Sequence, residues 1–325
     1  MRPSVLAEHL KRALRMALLL CTVAMAVGCL EGCREGATSG LPASGNAMYY
    51  WRTVLKFDNA ERQFIRKYDI SRLYVKFFDV VSDPNQDVVP VATLQFKDSV
   101  PEGVEVVPTV FIVENCLRNG TDSLARKVVD RVLKMCATND IGPVHELQID
   151  CDWTLRSRDQ YFALLAAMRQ LLREKGILLS ATIRLHQLSQ PAPPVDYGAL
   201  MVYNTGDPRK LTDHNPILDI RDVEPYIRHL ASYKLPLATA YPLFEWQLLF
   251  NGTQFNRFVY GDPPTLKLTT DTLVNWRSDL REIVRAKAAI GHRRSDAHHL
   301  IILYHLDKNL INKHTEDEYE EIFSR

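Results

Sequence analysis

The chain carries almost no net charge: 40 Lys and Arg against 39 Asp and Glu leave a formal +1. That balance removes bulk electrostatic attraction to nucleic acid, so no nucleic-acid partner is expected. Cysteine is scarce in the body of the chain. Cys116, Cys136 and Cys151 form no C-x-x-C pair, and three unpaired thiols read as buried structural residues rather than a metal site. No glycine-rich phosphate loop follows any strand-like run, which weighs against nucleotide binding. His292, His298 and His299 lie close together, but no carboxylate stands at a recognised metal spacing from them. Neither a metal nor a cofactor is expected.

Long hydrophobic runs are also missing. The uncharged stretch 16–27 is too short to span a bilayer as a helix, which takes about 20 residues. It follows Lys11, Arg12 and Arg15 and precedes Gly28-Cys29. A basic segment, an apolar segment and small residues before a cysteine resemble a bacterial lipoprotein signal over 1–28, with Cys29 as the lipidated residue. Ala26 departs from the leucine more usual three residues before that cysteine, and Cys33 is a weaker second candidate. The resemblance implies a lipid anchor to the membrane and a place in the bacterial cell envelope. Simple secretion is the alternative. Residues 29–47, rich in Gly, Ser and Ala, read as a flexible tether.

What remains, 48–325, suits one large domain. Short β-rich runs alternate with amphipathic helices, the pattern of a parallel α/β fold. Strands are expected over 48–52, 72–78, 104–113, 146–154, 178–185, 199–203, 237–241 and 300–305. Helices are expected over 58–68, 121–137, 157–175, 222–233, 271–289 and 315–323, with Asp58 as one cap and Gly176 as one stop. Eight strands with mostly helical crossovers indicate a TIM-like (β/α)8 barrel, with weak or missing helices after strands two and five. An open doubly wound sheet is the alternative. In a barrel, chemistry sits at the C-terminal ends of the strands.

The most informative stretch is Glu146-Leu-Gln-Ile-Asp-Cys-Asp-Trp-Thr154. Alternation puts Leu147, Ile149, Cys151 and Trp153 on one face and Glu146, Gln148, Asp150, Asp152 and Thr154 on the other. The apolar face would pack on helices and the polar face would look inward. Asp150 and Asp152 would be about 6.6 Å apart, close enough to raise one pKa and support acid–base chemistry. A salt bridge to Lys76 or Arg184 is the alternative. On strand five Ser180, Thr182, Arg184 and His186 share a face. Arg184 would hold a carboxylate or a substrate oxygen, and His186 would touch substrate or stand solvated in a loop. Tyr203 and Asn204 end strand six, where a hydroxyl and an amide suit sugar groups; a core tyrosine is the alternative.

Asp150-Cys-Asp-Trp-Thr154 and Met201-Val-Tyr-Asn204 resemble the strand-four and strand-six motifs of glycoside hydrolase family 18, the chitinases and endo-β-N-acetylglucosaminidases. Those motifs read D-x-x-D-x-D-x-E and M-x-Y-D. Asp150 and Asp152 fall on the second and third aspartates, and Met201 and Tyr203 match. Leu147 replaces the first aspartate and Asn204 the last on strand six. Thr154 stands where the family has its acid glutamate. The resemblance implies that Asp152 would orient the substrate's acetamido group and Tyr203 would bond to it. Threonine is no general acid near neutral pH, and family members with this loss usually bind sugar without cutting it.

Another carboxyl would have to serve in an enzyme. Glu245, after strand seven, and Glu114, after strand three, are the candidates. Glu245 facing Asp152 would make a glycosidase pair at about 5.5 Å if retaining or up to about 9.5 Å if inverting; a surface loop acid is the alternative. Tyr241 and Trp246 beside it would suit a pyranose face, as would Trp51. Trp153 should pack outward. The expected partner is therefore an oligo- or polysaccharide, either cut or held as a lectin holds it. A scaffold meeting other envelope proteins is a third reading.

Overall fold

The computed structural model describes residues 42–118, 121–260 and 270–324. Residues 1–28, Cys29 and most of the tether lie outside them. Eight parallel strands form a ring in chain order: β1 (Gly45–Tyr50), β2 (Ile70–Ser82), β3 (Glu105–Ile112), β4 (Glu146–Asp150), β5 (Leu178–Arg184), β6 (Tyr197–Met201), β7 (Leu237–Pro242) and β8 (Leu300–Tyr304). Each pairs with the next, and β1 pairs with both β8 and β2, so the barrel closes. The expected (β/α)8 architecture is present, and the open sheet is excluded.

Alternation decides what each strand buries. Leu147, Ile149, Cys151 and Trp153 point outward into the apolar layer beneath the helices. Trp153 lies stacked 6.1 Å from Tyr161 and edge-on to Phe162 at 5.4 Å. The barrel interior holds a second, smaller core of Ala47, Tyr49, Tyr74, Tyr197, Ala199, Met201, Ala238, Ala240 and Ile302 among others. Small residues on β6 and β7 leave room there for the tyrosines of β1, β2 and β6.

Five connections carry the expected helices. α1 (Asn59–Lys67) starts on Asp58, whose carboxylate accepts from the Glu61 N–H at 2.9 Å, and Glu61 reaches back to the Asp58 N–H at 3.1 Å. α2 (Thr121–Thr138) follows β3, and α3 (Arg158–Arg173) buries Tyr161, Leu164, Leu165, Met168 and Leu172 against the barrel. Gly176, at φ +67°, then turns the chain toward β5. α4 (Ile220–Ile227) and α5 (Leu280–Arg293) begin on Asp219 and Asp279, and α6 (Glu316–Phe323) on a Thr315–Glu318 capping box. The connection after β2 holds only short strands, and β5 is followed by a 3-10 turn over Leu185–Ser189, as expected.

The structure departs from the sequence reading in two places. Residues 271–277, expected at the start of a helix, form the strand Asp271–Arg277 instead. It pairs antiparallel with Glu245–Asn251, which also pairs with Gln254–Val259, making a three-stranded sheet inserted after β7. Strand β4 also ends at Asp150 rather than Thr154. The Thr154 N–H bonds to the Glu114 and Ser157 side chains, not to a neighbouring strand, so Asp152 and Thr154 stand on the loop above the ring.

Candidate functional site

The polar face of β4 builds a column up the barrel interior. Tyr197 and Ser180 hydroxyls each donate to Glu146 Oε1 at 2.5 Å. One layer up, Gln148 accepts from the Tyr49 hydroxyl at 2.7 Å and donates to Ser180 Oγ at 3.2 Å. Above it, Thr182 Oγ1 donates to Asp150 Oδ1 at 2.6 Å. Neighbouring parallel strands place these partners side by side, with Gln148 in register with Thr109 of β3 and Ser180 of β5. Burial pushes the Glu146 carboxyl up to about 7, opposed by Arg72 nearby.

Arg184 tops the column. Its Nη2 lies 3.1 Å from Asp150 Oδ1 and its Nε 2.5 Å from Asp152 Oδ1. Of the two alternatives in the sequence, Arg184 is thus the partner of both aspartates. Lys76 bonds to Asp79 instead, at 3.0 Å, and its ammonium lies 5.7 Å from the Trp51 ring. The two acids differ in setting: the Asp150 side chain is 8 % exposed and that of Asp152 64 %. Burial raises the Asp150 pKa, while Arg184 and Thr182 oppose the rise; repulsion by Asp152 contributes less. The expected shift is present, but desolvation rather than the paired charge is its main cause.

Asp150 and Arg184 form part of a cleft of about 450 Å³ at the C-terminal mouth of the barrel. Its walls are mostly aromatic: Trp51, Tyr203, Phe244, Trp246, Tyr260 and Tyr304. Tyr203 packs 5.4 Å from Tyr304 and edge-on to Phe244 at 5.8 Å, and Phe244 lies 5.3 Å from Trp246. Tyr260, 85 % exposed, stands at the rim. Asn204 also borders the cleft, at φ +55° with its N–H bonded to the Ile217 carbonyl.

Glu245 shares this cleft, 48 % exposed, with its carboxylate 2.6 Å from Lys313 Nζ. Glu114 does not. It lines a separate cavity with Thr154 and His186, and its Oε1 accepts from the hydroxyls of Thr154 and Ser157, each at 2.5 Å. Those bonds lower its pKa, Ser157 first, so the carboxylate is held ionised. Partial burial of the ring, helped by Arg184, holds the His186 pKa below its ordinary value.

Tyr241 lies elsewhere. It shares the outward phase of Leu237 on β7, is fully buried, and its hydroxyl sits 2.8 Å from His298 Nε2. Ala238 and Ala240 take the inward positions, so no cleft wall comes from Tyr241. Tyr304, His305 and Phe111 line the cleft without having been singled out in the sequence. Tyr304 was findable, since alternation from Leu300 and Ile302 aims it inward at the end of β8. Among the described residues, no group of three His, Cys, Asp or Glu side chains is placed to hold a metal ion.

No protein-family model matches the sequence, and no curated protein is detectably similar to it. Solved structures are similar in shape. A chitinase from Chromobacterium violaceum superposes with a TM-score of 0.57 at 12 % identity, covering 86 % of this chain and 98 % of that one. A chitinase-like agglutinin from Robinia pseudoacacia gives 0.53 at 13 % identity over 87 % and 100 %. A mutant GH18 chitinase from Cycas revoluta, solved in complex with (GlcNAc)4, gives 0.51 at 13 % over 82 % and 96 %. The fold is that of GH18 chitinases and chitinase-like proteins, as the strand-four and strand-six motifs imply.

Proposed function

We propose that this protein captures glycans containing N-acetylhexosamine in the aromatic cleft and does not hydrolyse them. The ion pairs of Arg184 with Asp150 and Asp152 carry this reading. An aspartate that orients a reacting group must be free to meet it, and Asp152 is already bound through its Oδ1. Thr154, at the position of the missing acid, supplies no proton near neutral pH. Glu114, held ionised by Thr154 and Ser157, borders a different cavity. The aromatic walls, Tyr203 among them, offer apolar faces for pyranose rings, and Asn204 at the border adds a polar group for their hydroxyls. An agglutinin with the same fold supports binding as a use of such a barrel.

A second reading, hydrolysis, draws on one observation. Asp150, with its raised pKa, and Glu245 line the same cleft. Both readings are tested by calorimetric titration with N-acetylchitohexaose, alongside product analysis. Capture predicts one-site binding that weakens about tenfold in Trp246→Ala, with the sugar recovered intact. Absence of binding across a panel of β-linked oligosaccharides sinks both.

The N-terminal pattern supports a place in the bacterial cell envelope, with the barrel tethered through lipid on Cys29. Expression in a bacterial host should put the chain in the membrane fraction and release it on Cys29→Ser. A soluble wild-type chain would refute the anchor.

A further inference from the structure

A second cavity, of about 720 Å³, opens beside the cleft, above the ends of β3, β4 and β5. The C-terminal ends of the same three strands supply Phe111, Asp150 and Arg184 to the cleft, so the two spaces share one end of the barrel. This neighbour has a different character. Arg118, which ends the 3-10 turn after β3, and Arg156, in the turn before α3, line it, both exposed, and neither has a carboxylate within 4.0 Å among the described residues. Leu155 stands there 66 % exposed, and Asn115 and Gln160 add amides.

The 16-residue helix α3 starts at the same place. Its N-cap residue, Ser157, makes no side-chain capping bond: its hydroxyl oxygen accepts from the Thr154 N–H at 3.0 Å instead, and its proton goes to Glu114. The first-turn N–H groups are left open at the positive end of the helix dipole. Two guanidinium groups outside ion-pair distance of any described carboxylate and an uncapped helix start therefore meet at one cavity. Glu114 is the opposing charge: its Oε1 accepts from Thr154 and Ser157, and Arg118 acts on it from beyond ion-pair distance.

We propose that this cavity is an anion subsite that holds an acidic substituent, a carboxylate or a sulfate, on the glycan seated in the cleft. Arg118 and Arg156 would take the anion by charge-assisted hydrogen bonds, and Leu155 would cover the neighbouring ring carbon atoms. The protein would then prefer acidic over neutral polysaccharides. The inference rests on the glycan reading above and names the substrate class within it.

Calorimetry on the wild-type protein with three hexasaccharides tests it: N-acetylchitohexaose, which is neutral, a hyaluronan hexasaccharide, which carries carboxylates, and a chondroitin 4-sulfate hexasaccharide, which carries both. The expected result is at least one acidic sugar bound about tenfold more tightly than the neutral one at low salt, with the margin shrinking as salt rises. Which acidic sugar gains tells carboxylate from sulfate. Arg118→Ala/Arg156→Ala should erase the preference and leave N-acetylchitohexaose binding unchanged. Arg173→Ala/Lys175→Ala, which removes the same charge at the far end of α3, should leave the preference intact. Equal affinity for all three sugars, or a preference that survives loss of Arg118 and Arg156, overturns the subsite alone. If no sugar binds, the glycan reading fails and the subsite falls with it.

Discussion

Arg184 Nε and Asp152 Oδ1 stand 2.5 Å apart at the mouth of the barrel, and the same guanidinium reaches down to Asp150 at 3.1 Å. One cation thus neutralises a buried acid and ties an exposed one. Arg184→Ala leaves Asp150 buried without its counter-charge. Removing one member of a buried pair costs about 3 kcal/mol, and urea unfolding should show that loss. Arg184→Met combined with Asp150→Asn should recover more than half of it. A loss under about 1 kcal/mol, the range of exposed pairs, would mean that Asp150 does not depend on Arg184.

Glu146 ties stability to pH. Burial raises its carboxyl from 4.5 to about 7 in the folded chain. Between those values the folded state keeps a proton that the unfolded state releases, so this group's contribution falls as pH rises. Below about 4.5 the contribution is complete, and above about 7 it is gone. The expected change is on the order of 3 kcal/mol between pH 5 and pH 8. Glu146→Gln should flatten that part of the profile, and an unchanged slope would show that Glu146 is not its source.

Tyr241 separates the sequence expectation from the structure. Its hydroxyl meets His298 on the outside of the ring, and burial pushes that imidazole down to about 4, leaving it neutral. Tyr241→Phe should cost about 1 kcal/mol of stability and leave oligosaccharide affinity unchanged. A selective loss of affinity would place Tyr241 at the cleft after all.

Thr154→Glu restores the residue type of the family motif without restoring its setting. Thr154 Oγ1 lies 2.5 Å from Glu114 Oε1, so a glutamate there meets a like charge while Asp152 stays bound to Arg184. No hydrolysis of chromogenic N-acetylglucosaminides is expected from this single change. Measurable turnover would show that the threonine alone silences an otherwise competent site.

Much of this was readable because the strand period of two is strict. Glu146, Gln148 and Asp150 point inward and Leu147 and Ile149 outward, as the alternation of β4 dictates, and Trp153 keeps the outward side just beyond the strand's end. The same rule places Tyr241 outside, once its phase is set by the two alanines of β7. Asp271–Arg277 is a strand that local pattern does not reveal, because in a small inserted sheet stability comes from partners such as Trp246 opposite Trp276. The Lys313 contact of Glu245 spans 68 positions of sequence. The tie of Asp152 to Arg184 spans 32 and was one of two pairings the sequence allowed.

The most direct test of the central claim is mass spectrometry of N-acetylchitohexaose after prolonged incubation with a stoichiometric amount of the protein, under conditions where calorimetry shows the sugar bound. The account predicts the hexasaccharide recovered whole. Shorter oligomers from the wild-type protein that disappear with Asp150→Asn or Glu245→Gln would contradict it and identify an enzyme.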